Sequence, residues 1–298
     1  MLDFRIETFL AVCQTMNFTR AAELLHITQP AVSQHIHALE SQYSVRLFLY
    51  QGKQLHLTES GRLLYQTAVT MRHDALRLRD ALRQAGGRRH LRFGATLTVG
   101  EYIMPGPLRR LPEQDPGLQL RMLTANTRDL LRLIDHGELD FAIVEGNFDR
   151  QLYEGLAYCT QRFLPVCAPG YPFPRPVRTM EDLLDVHLLA REPGSGTRSV
   201  LERVLEAHNL AIQDFHRLTE LGSLNLIKNL TCAGVGVTFL YQPVVQQELQ
   251  QGLLQEIPLE EGPFCHDFTF LWRRGSAFAR SEERRVGKEC RSRWSPYH

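Results

Sequence analysis

The sequence predicts an α/β protein in two parts, and three observations lead there. Helical hydrophobic spacing fills most of residues 2–39 and gives way to strand-like alternation around Gln51-Gly52-Lys53; a heptad run then extends from Leu64 to Leu82; from Leu91 onward, short apolar runs alternate with helical stretches. With 298 residues, 43% of them hydrophobic and 22% charged, the chain has apolar content for two compact cores.

Leu2, Ile6, Phe9, Leu10 and Cys13 line one face of a first helix, over about residues 3–15. FTRAAELL (18–25) forms a short second helix, with Ala21, Ala22 and Leu25 placed for close packing, and it breaks at His26-Ile27. Thr28 caps a third helix, QPAVSQHIHALESQY, with Pro30 in the first turn, where a missing N–H costs nothing. Val32, Ile36 and Leu39 face inward, which leaves Gln29, Ser33, Gln34 and His37 outward. Two helices joined by a short turn, the second showing small polar side chains near its start, form the helix-turn-helix that reads the major groove of double-stranded DNA. VRLFLYQGKQLHLT then alternates as a two-stranded wing.

Residues 1–58 carry as many bases (Arg5, Arg20, Arg46, Lys53) as acids (Asp3, Glu7, Glu23, Glu40). One copy therefore neutralises few phosphates and binds DNA weakly, so copies are expected to pair. The next segment, 59–87, supplies the means: Thr58 caps a helix, Glu59 suits its positive start, and Leu64, Ala68, Met71, Ala75, Leu78 and Leu82 recur at heptad spacing. Such a helix reaches roughly 40 Å at 1.5 Å per residue. The same stripe can also pack on its own domain; its regularity favours pairing between chains. Gly86-Gly87 stops the helix and Arg88-Arg89 opens a hinge, after which a regulatory domain occupies 88–280.

In that domain the strands expected are LRFGA (91–95), LQLRML (118–123), DFAIV (140–144), FLPVCA (163–168), HLLA (187–190), GVTFL (236–240) and DFTFLW (267–272), in a parallel-rich sheet. Ligands of such folds sit beyond the carboxyl ends of strands. Four places there carry polar residues: Thr96 and Thr98 after the first strand, Asn126 and Thr127 at a helix start after the second, Glu145-Gly146 after the third, and REPGSGTR, with Ser195, Gly196, Thr197 and Arg198, after HLLA. Helix starts present free N–H groups and partial positive charge, so a small anion is the natural guest. Any single Thr or Asn here also reads as a helix cap, and Arg191 or Arg198 either meets the anion or forms a surface ion pair. Glu145 is awkward beside an anion; it suits a protonated ligand, one that carries a donor, or pairing with one of those arginines.

Several classes are disfavoured. REPGSGTR lacks the Lys that GxxxxGK[ST] requires, and no Ser-His-Asp or metal arrangement is legible, so neither an enzyme nor a cofactor is expected. The cysteines (Cys13, Cys159, Cys167, Cys232, Cys265, Cys290) are scattered, without disulfide or zinc spacing. No apolar run reaches the roughly 18 to 20 residues of a membrane span, and Asp3 and Glu7 stand where a signal peptide carries bases; the expectation is a cytoplasmic protein with no membrane partner. Net charge is +1, which gives no overall nucleic-acid footprint. The final stretch SEERRVGKECRSRWSPYH carries a charge of +2 and no useful apolar spacing, and 281–298 is read as a non-native tail.

FTRAAELLHITQPAVSQHIHALESQYSVRLF followed by LHLTESG resembles the winged helix-turn-helix of LysR-type transcriptional regulators, and the resemblance covers about residues 1–280. It implies a two-lobed, periplasmic-binding-protein-like (type 2) effector domain, with lobe 1 at about 88–161 and 267–280 and lobe 2 at about 162–266. It also implies a homodimer assembling to a homotetramer, an inverted-repeat promoter site and RNA polymerase as a further partner. Carried over, it puts Gln29, Pro30, Ser33 and Gln34 at the groove, with Arg20 and His37 beside them, and Lys53 on phosphate. Tyr50 stands where these proteins usually have Arg, which weakens or moves a backbone contact. GELDFAIVEG resembles the first crossing between lobes, and GSLNLIKNLTCAGVGVTFL with LQQGLL a late part of lobe 2. GATLTVGEYIMP, AIVEG and REPGSGTR together resemble the branch regulating sulfite reduction, sulfur assimilation and carbon-dioxide fixation. The effector implied is sulfite, sulfate or a related sulfur metabolite, with an organic acid or phosphorylated metabolite as the alternative. A last helix, expected after Phe278, is overwritten by the tail.

Overall fold

The computed structural model describes residues 3–83, 90–114 and 117–279; the Gly86-Gly87 hinge and the 281–298 tail lie outside them. The chain divides into two compact units. The first holds the residues up to α4 together with Asp135–Glu138 and Arg273–Ala279, and the second holds the rest.

In the first unit, α1 (Phe4–Thr15), α2 (Phe18–Leu25) and α3 (Gln29–Tyr43) precede a hairpin of β1 (Phe48–Gln51) and β2 (Gln54–Leu57), and α4 (Glu59–Arg83) follows. The helix starts are set locally: Asp3 caps α1, Asn17 accepts from the Thr19 and Arg20 amides, and Thr28 accepts from the Ala31 amide. Met16, His26 and Ser44 then close the three helices in the left-handed region. Thr58 caps α4 by accepting from Gly61 N at 2.9 Å. Phe9, Val12, Ala21, Val32, Ile36, Leu39 and Leu47 form the core, which Ala68 and Val69 of α4 complete. Ala68 is thus fully buried within its own unit, and Leu64 packs against the same core, while Met71, Leu78 and Leu82 are exposed and Ala75 is half-buried. This corrects the uniform heptad seam: its first turns serve the intramolecular core, and only its later turns face outward. Arg273 donates to Asp135 Oδ1 (3.0 Å), Thr70 Oγ1 (3.1 Å) and Gln66 O (3.0 Å), fastening α4 within this unit.

The second unit carries a mixed sheet in the order β10-β6-β11-β5-β3-β4, with β9 also on β6. Its strands are β3 (His90–Ala95), β4 (Gln119–Thr124), β5 (Phe141–Val144), β6 (Tyr153–Cys167), β9 (Thr238–Tyr241), β10 (Gln255–Glu256) and β11 (Phe264–Arg273); β7 (His187–Arg191) and β8 (Arg217–Leu221) pair separately. Parallel pairing links β3 to β4 and β5, and β7 to β8; β11 with β5, and β9 and β10 with β6, are antiparallel. The sheet is therefore mixed rather than parallel-rich. The helices of this unit are α5 (Pro105–Gln114), α6 (Thr127–Asp135), α7 (Gly196–Glu206), α8 (Leu224–Cys232) and α9 (Gln242–Gln250). The strand of GELDFAIVEG, β5, lies inside the sheet between β3 and β11, and the long β6 pairs with β9 and β10 and neighbours β11. Strands β8 and β10 were not anticipated, because both are largely exposed and polar and so lack an apolar run.

Candidate functional site

The first candidate surface is the start of α3. Gln29, Pro30, Gln34 and His37 are exposed and Ser33 is half-buried; Gln29 Nε2 donates to Ser33 Oγ at 2.9 Å, so these two side chains form one polar unit on the first turns. Arg20 is exposed on α2, and Lys53 is exposed at the hairpin tip, where Gly52 takes a φ of 64°. Tyr50 is 67% exposed and adds a hydroxyl but no charge to the wing. Beneath this face, the buried Glu40 accepts from Leu47 N (2.8 Å) and Arg46 Nη1 (3.1 Å), tying α3 to the wing. Of the four acids of the segment, Asp3 also has a partner in Arg5, and Glu7 lies 4.0 Å from Arg72 Nη1.

The second candidate lies in the other unit, where strand ends and helix starts meet. The turn after β3, the end of β5 and the starts of α6 and α7 converge: a Cβ on Gly196 would stand 2.6 Å from Glu145 Cγ and 3.0 Å from Gly146 N, and one on Gly146 would stand 2.8 Å from Thr127 Oγ1. Only glycine permits this approach. Thr96, Thr98, Thr127, Glu145, Ser195 and Thr197 are all buried. Thr197 Oγ1 donates to Glu145 Oε1 at 2.7 Å. The hydroxyls of Thr98 and Thr96 sit near enough to the carboxylate to favour its ionised form, yet neither they nor Thr127 Oγ1 nor Glu145 Oε2 completes a hydrogen bond among the described residues. Burial pushes the Glu145 carboxyl above the usual range, against the Thr197 bond and the Arg191 charge, which pull it down.

Three residues that sequence reasoning missed belong to this cluster. Tyr241, at the end of β9, is fully buried with an unpartnered hydroxyl; burial first, then the Glu145 charge, raises it well above its usual range. His266 on β11 places Nε2 2.6 Å from Glu145 O. A carbonyl only accepts, so Nε2 carries the hydrogen, and it has no lone pair for Arg203 Nη2 at 3.3 Å. Burial and then the Arg203 charge lower the His266 pKa, which keeps the ring neutral. Arg203, half-buried on α7, has no carboxylate partner among the described residues, and its buried Nε has no acceptor. It is a cation beside a pocket of donors.

Other expected residues have different work. Asn126 accepts from Asp129 N at 2.9 Å, the cap of α6. Arg198 is engaged by Glu202 Oε1 and Glu220 Oε1, both at 2.7 Å, and by Arg191 O; Arg191 pairs with Glu192. Both arginines thus form ion pairs, and Arg203 is the cation with donors to spare. Ser195 heads α7 without a side-chain capping bond. Across the same cleft, Tyr102 OH donates to Asn225 Oδ1 at 3.0 Å, with Lys228 Nζ 5.4 Å from the Tyr102 ring centre.

Burial raises the thiols of Cys13 (to about 12), Cys159, Cys167 and Cys232, which disfavours the reactive thiolate. No His/Cys/Asp/Glu group with metal-binding geometry occurs among the described residues, and no described helix is long and apolar enough to cross a membrane.

A winged helix-turn-helix followed by a two-lobed α/β domain that closes on a polar pocket defines a class: DNA-binding transcriptional regulators with an effector-binding domain. The chain belongs to the LysR family. Residues 5–62 match the bacterial regulatory helix-turn-helix protein, lysR family, and residues 84–282 match the LysR substrate binding domain. Among its relatives, the HTH-type transcriptional regulator YeiE of Escherichia coli K12 is 29% identical over 269 residues, covering 90% of this chain and 89% of that one. A probable RuBisCO transcriptional regulator of Cyanidium caldarium is 28% identical over 254 residues, covering 82% and 79%. The carbon-dioxide-fixation branch suggested by the sequence motifs is therefore represented. Among solved structures, a cysteine mutant of OxyR from Corynebacterium glutamicum superposes with a TM-score of 0.58 at 23% identity, covering 98% of this chain and 90% of that one. CrgA, a LysR-type transcriptional regulator from Neisseria meningitidis, gives 0.54 at 20% identity, covering 97% of each. These are likenesses of fold. The relatives are regulators, not enzymes, and so is this chain.

Proposed function

We propose that this regulator senses a small oxyanion in the pocket formed by Thr96, Thr98, Thr127, Thr197, Glu145 and Tyr241, with sulfite or a related sulfur oxyanion first, and that occupancy alters promoter binding. The observation that carries the reading is the set of buried hydroxyls at convergent helix starts, none completing a hydrogen bond except Thr197, beside the unpaired Arg203. Buried polar groups without partners cost about 1–3 kcal/mol each, and a ligand that bonds them recovers that cost. The unpartnered donors here are short hydroxyls gathered around one carboxylate, which favours a compact oxyanion over a phosphorylated metabolite or a larger organic acid.

The DNA-reading residues are Gln29, Pro30, Ser33, Gln34 and His37, with Arg20 and Lys53 on the backbone. The near-neutral winged helix requires at least a dimer, and the exposed Met71, Leu78 and Leu82 of α4 are its seam; a tetramer on an inverted repeat in the cytoplasm is the working assembly, positioned to affect RNA polymerase at the promoter. Effector and DNA are coupled only to the extent that the effector binds one arrangement of the protein more tightly than another.

A thermal-shift screen of sulfite, sulfate, thiosulfate, phosphate and small carboxylates tests the pocket. One or more oxyanions are expected to raise the Tm of the wild type and not that of Thr96→Val/Thr197→Val. No stabilisation by any, or equal stabilisation of both proteins, overturns the reading.

A further inference from the structure

We propose that the pocket holds its oxyanion together with one proton, shared with Glu145 Oε2, which selects hydrogen-bearing oxyanions such as hydrogen sulfite, hydrogen carbonate and dihydrogen phosphate over sulfate. The inference rests on the oxyanion reading above and adds the identity of its selectivity filter.

Hydrogen-bond bookkeeping leads to it. Glu145 is buried; Oε1 accepts from Thr197 Oγ1, and Oε2 has no partner. A carboxylate oxygen and an oxyanion oxygen are both acceptors, so facing each other in a dry site they repel. A single proton between them turns the clash into a short, charge-assisted O–H···O bond. The remaining ligand oxygens then meet the hydroxyls of Thr96, Thr98, Thr127 and Tyr241, none of which has a partner of its own.

The groups around Glu145 do not deliver that proton. Thr197 on α7 and Thr96 and Thr98 after β3 only share hydrogen bonds; Tyr241 on β9 is held strongly in its neutral form; His266 on β11 already gives its Nε2 hydrogen to Glu145 O. Arg191, the cation that acts on Glu145, is paired to Glu192, and Arg203 lies beside His266. The proton arrives on the ligand or is drawn from solvent by Glu145, whose burial favours the protonated form. A ligand that carries the proton binds without exchange; sulfate takes one up, so its affinity falls about tenfold per pH unit once Glu145 ionises in the free protein.

The test is calorimetric titration of the full-length protein with sodium sulfite, phosphate and sulfate in two buffers of different ionisation enthalpy, from about pH 6 to about pH 8. Sulfate is expected to bind more weakly than the hydrogen-bearing anions and, at pH values where Glu145 is ionised in the free protein, to take up close to one proton per site; sulfite and phosphate are expected to take up only the proton that converts their own dianion in solution, which falls away toward about pH 6. Glu145→Gln, whose amide donates where the carboxylate cannot, is expected to bind sulfate at least tenfold tighter than wild type at pH 8 with no proton uptake. Sulfate binding to the wild type as tightly as sulfite at every pH tested, with no proton uptake at any of them, overturns the inference, and this arm needs no variant to fold. Unchanged selectivity in Glu145→Gln also overturns it. If none of the three anions binds the wild type, the oxyanion reading itself fails, a different outcome from sulfate binding proton-free.

Discussion

Thr197 Oγ1 donates a 2.7 Å hydrogen bond to Glu145 Oε1, and this bond joins the start of α7 to the end of β5 inside the effector domain. The two residues are buried and come from elements far apart in the sequence.

Replacing Thr197 by Val removes that bond and leaves both oxygens of Glu145 without a donor. The expected cost is about 1–3 kcal/mol in equilibrium urea unfolding, and Thr197→Ser is expected to recover most of it. Equal losses in Val and Ser variants would instead point to packing of the methyl group.

The pH dependence has a definite sign. Burial raises the Glu145 carboxyl, so the folded chain holds that proton more tightly than the unfolded chain. The stability this supplies is complete below the unfolded carboxyl range and is lost as pH rises through the raised value. Glu145→Gln removes the loss. Its Tm relative to wild type, measured without added anions, is expected to climb as pH increases from the acid side to neutrality; a difference independent of pH contradicts the assignment.

Gly196→Ala is expected to lower stability by about 1–3 kcal/mol, because the added methyl would stand 2.6 Å from Glu145 Cγ and 3.0 Å from the backbone nitrogen of Gly146. A scanning-calorimetry melt within error of wild type would show that the two segments do not meet as described.

Leu78 and Leu82 are 52% and 69% exposed on α4. Leu78→Asp with Leu82→Asp is expected to shift sedimentation toward monomer while leaving the far-ultraviolet circular dichroism unchanged. Ala68→Asp, in the core, is expected to unfold the winged helix instead. A double Asp variant with unchanged sedimentation removes the later heptad turns from the interface.

At the DNA, Lys53→Ala is expected to weaken binding similarly for all sequences and to reduce the slope of log K against log salt by about 1. Gln34→Ala, on the exposed start of α3, is expected to reduce discrimination between sites, by about 1–3 kcal/mol, with little change in that slope. Protein-selected duplexes and scrambled controls measured by anisotropy at several salt concentrations separate the two.

Much of the fold was legible because its signals are local. Asn17, Thr28 and Thr58 cap helices using side chains two or three residues from the amides they satisfy, and Gly52 turns the wing. The heptad was ambiguous for a physical reason: an apolar stripe does not say whether its partner is the same chain, and Ala68 and Leu64 turned inward. Strand β8 left no trace because an exposed edge strand needs no apolar run. In the pocket, Thr96, Thr98, Glu145 and Thr197 follow strand ends or open a helix, where sequence reasoning searched. Arg203 lies mid-helix, Tyr241 ends an apolar strand and His266 sits on a long β11, so each joins the pocket only through tertiary packing. Tyr241 alone had a signal, a polar-tipped residue immediately after GVTFL.

The central claim is that an oxyanion in the Glu145–Thr197 pocket changes how the protein holds DNA. Its most direct test is the affinity for a selected duplex, measured by anisotropy at fixed pH and ionic strength with and without saturating sulfite, for wild type and Thr96→Val/Thr197→Val. The account predicts a change of at least about fivefold for the wild type, the lower end of usual allosteric coupling, and none for the variant. Equal affinity with and without every oxyanion that binds the wild type, or an undiminished change in the variant, would contradict it.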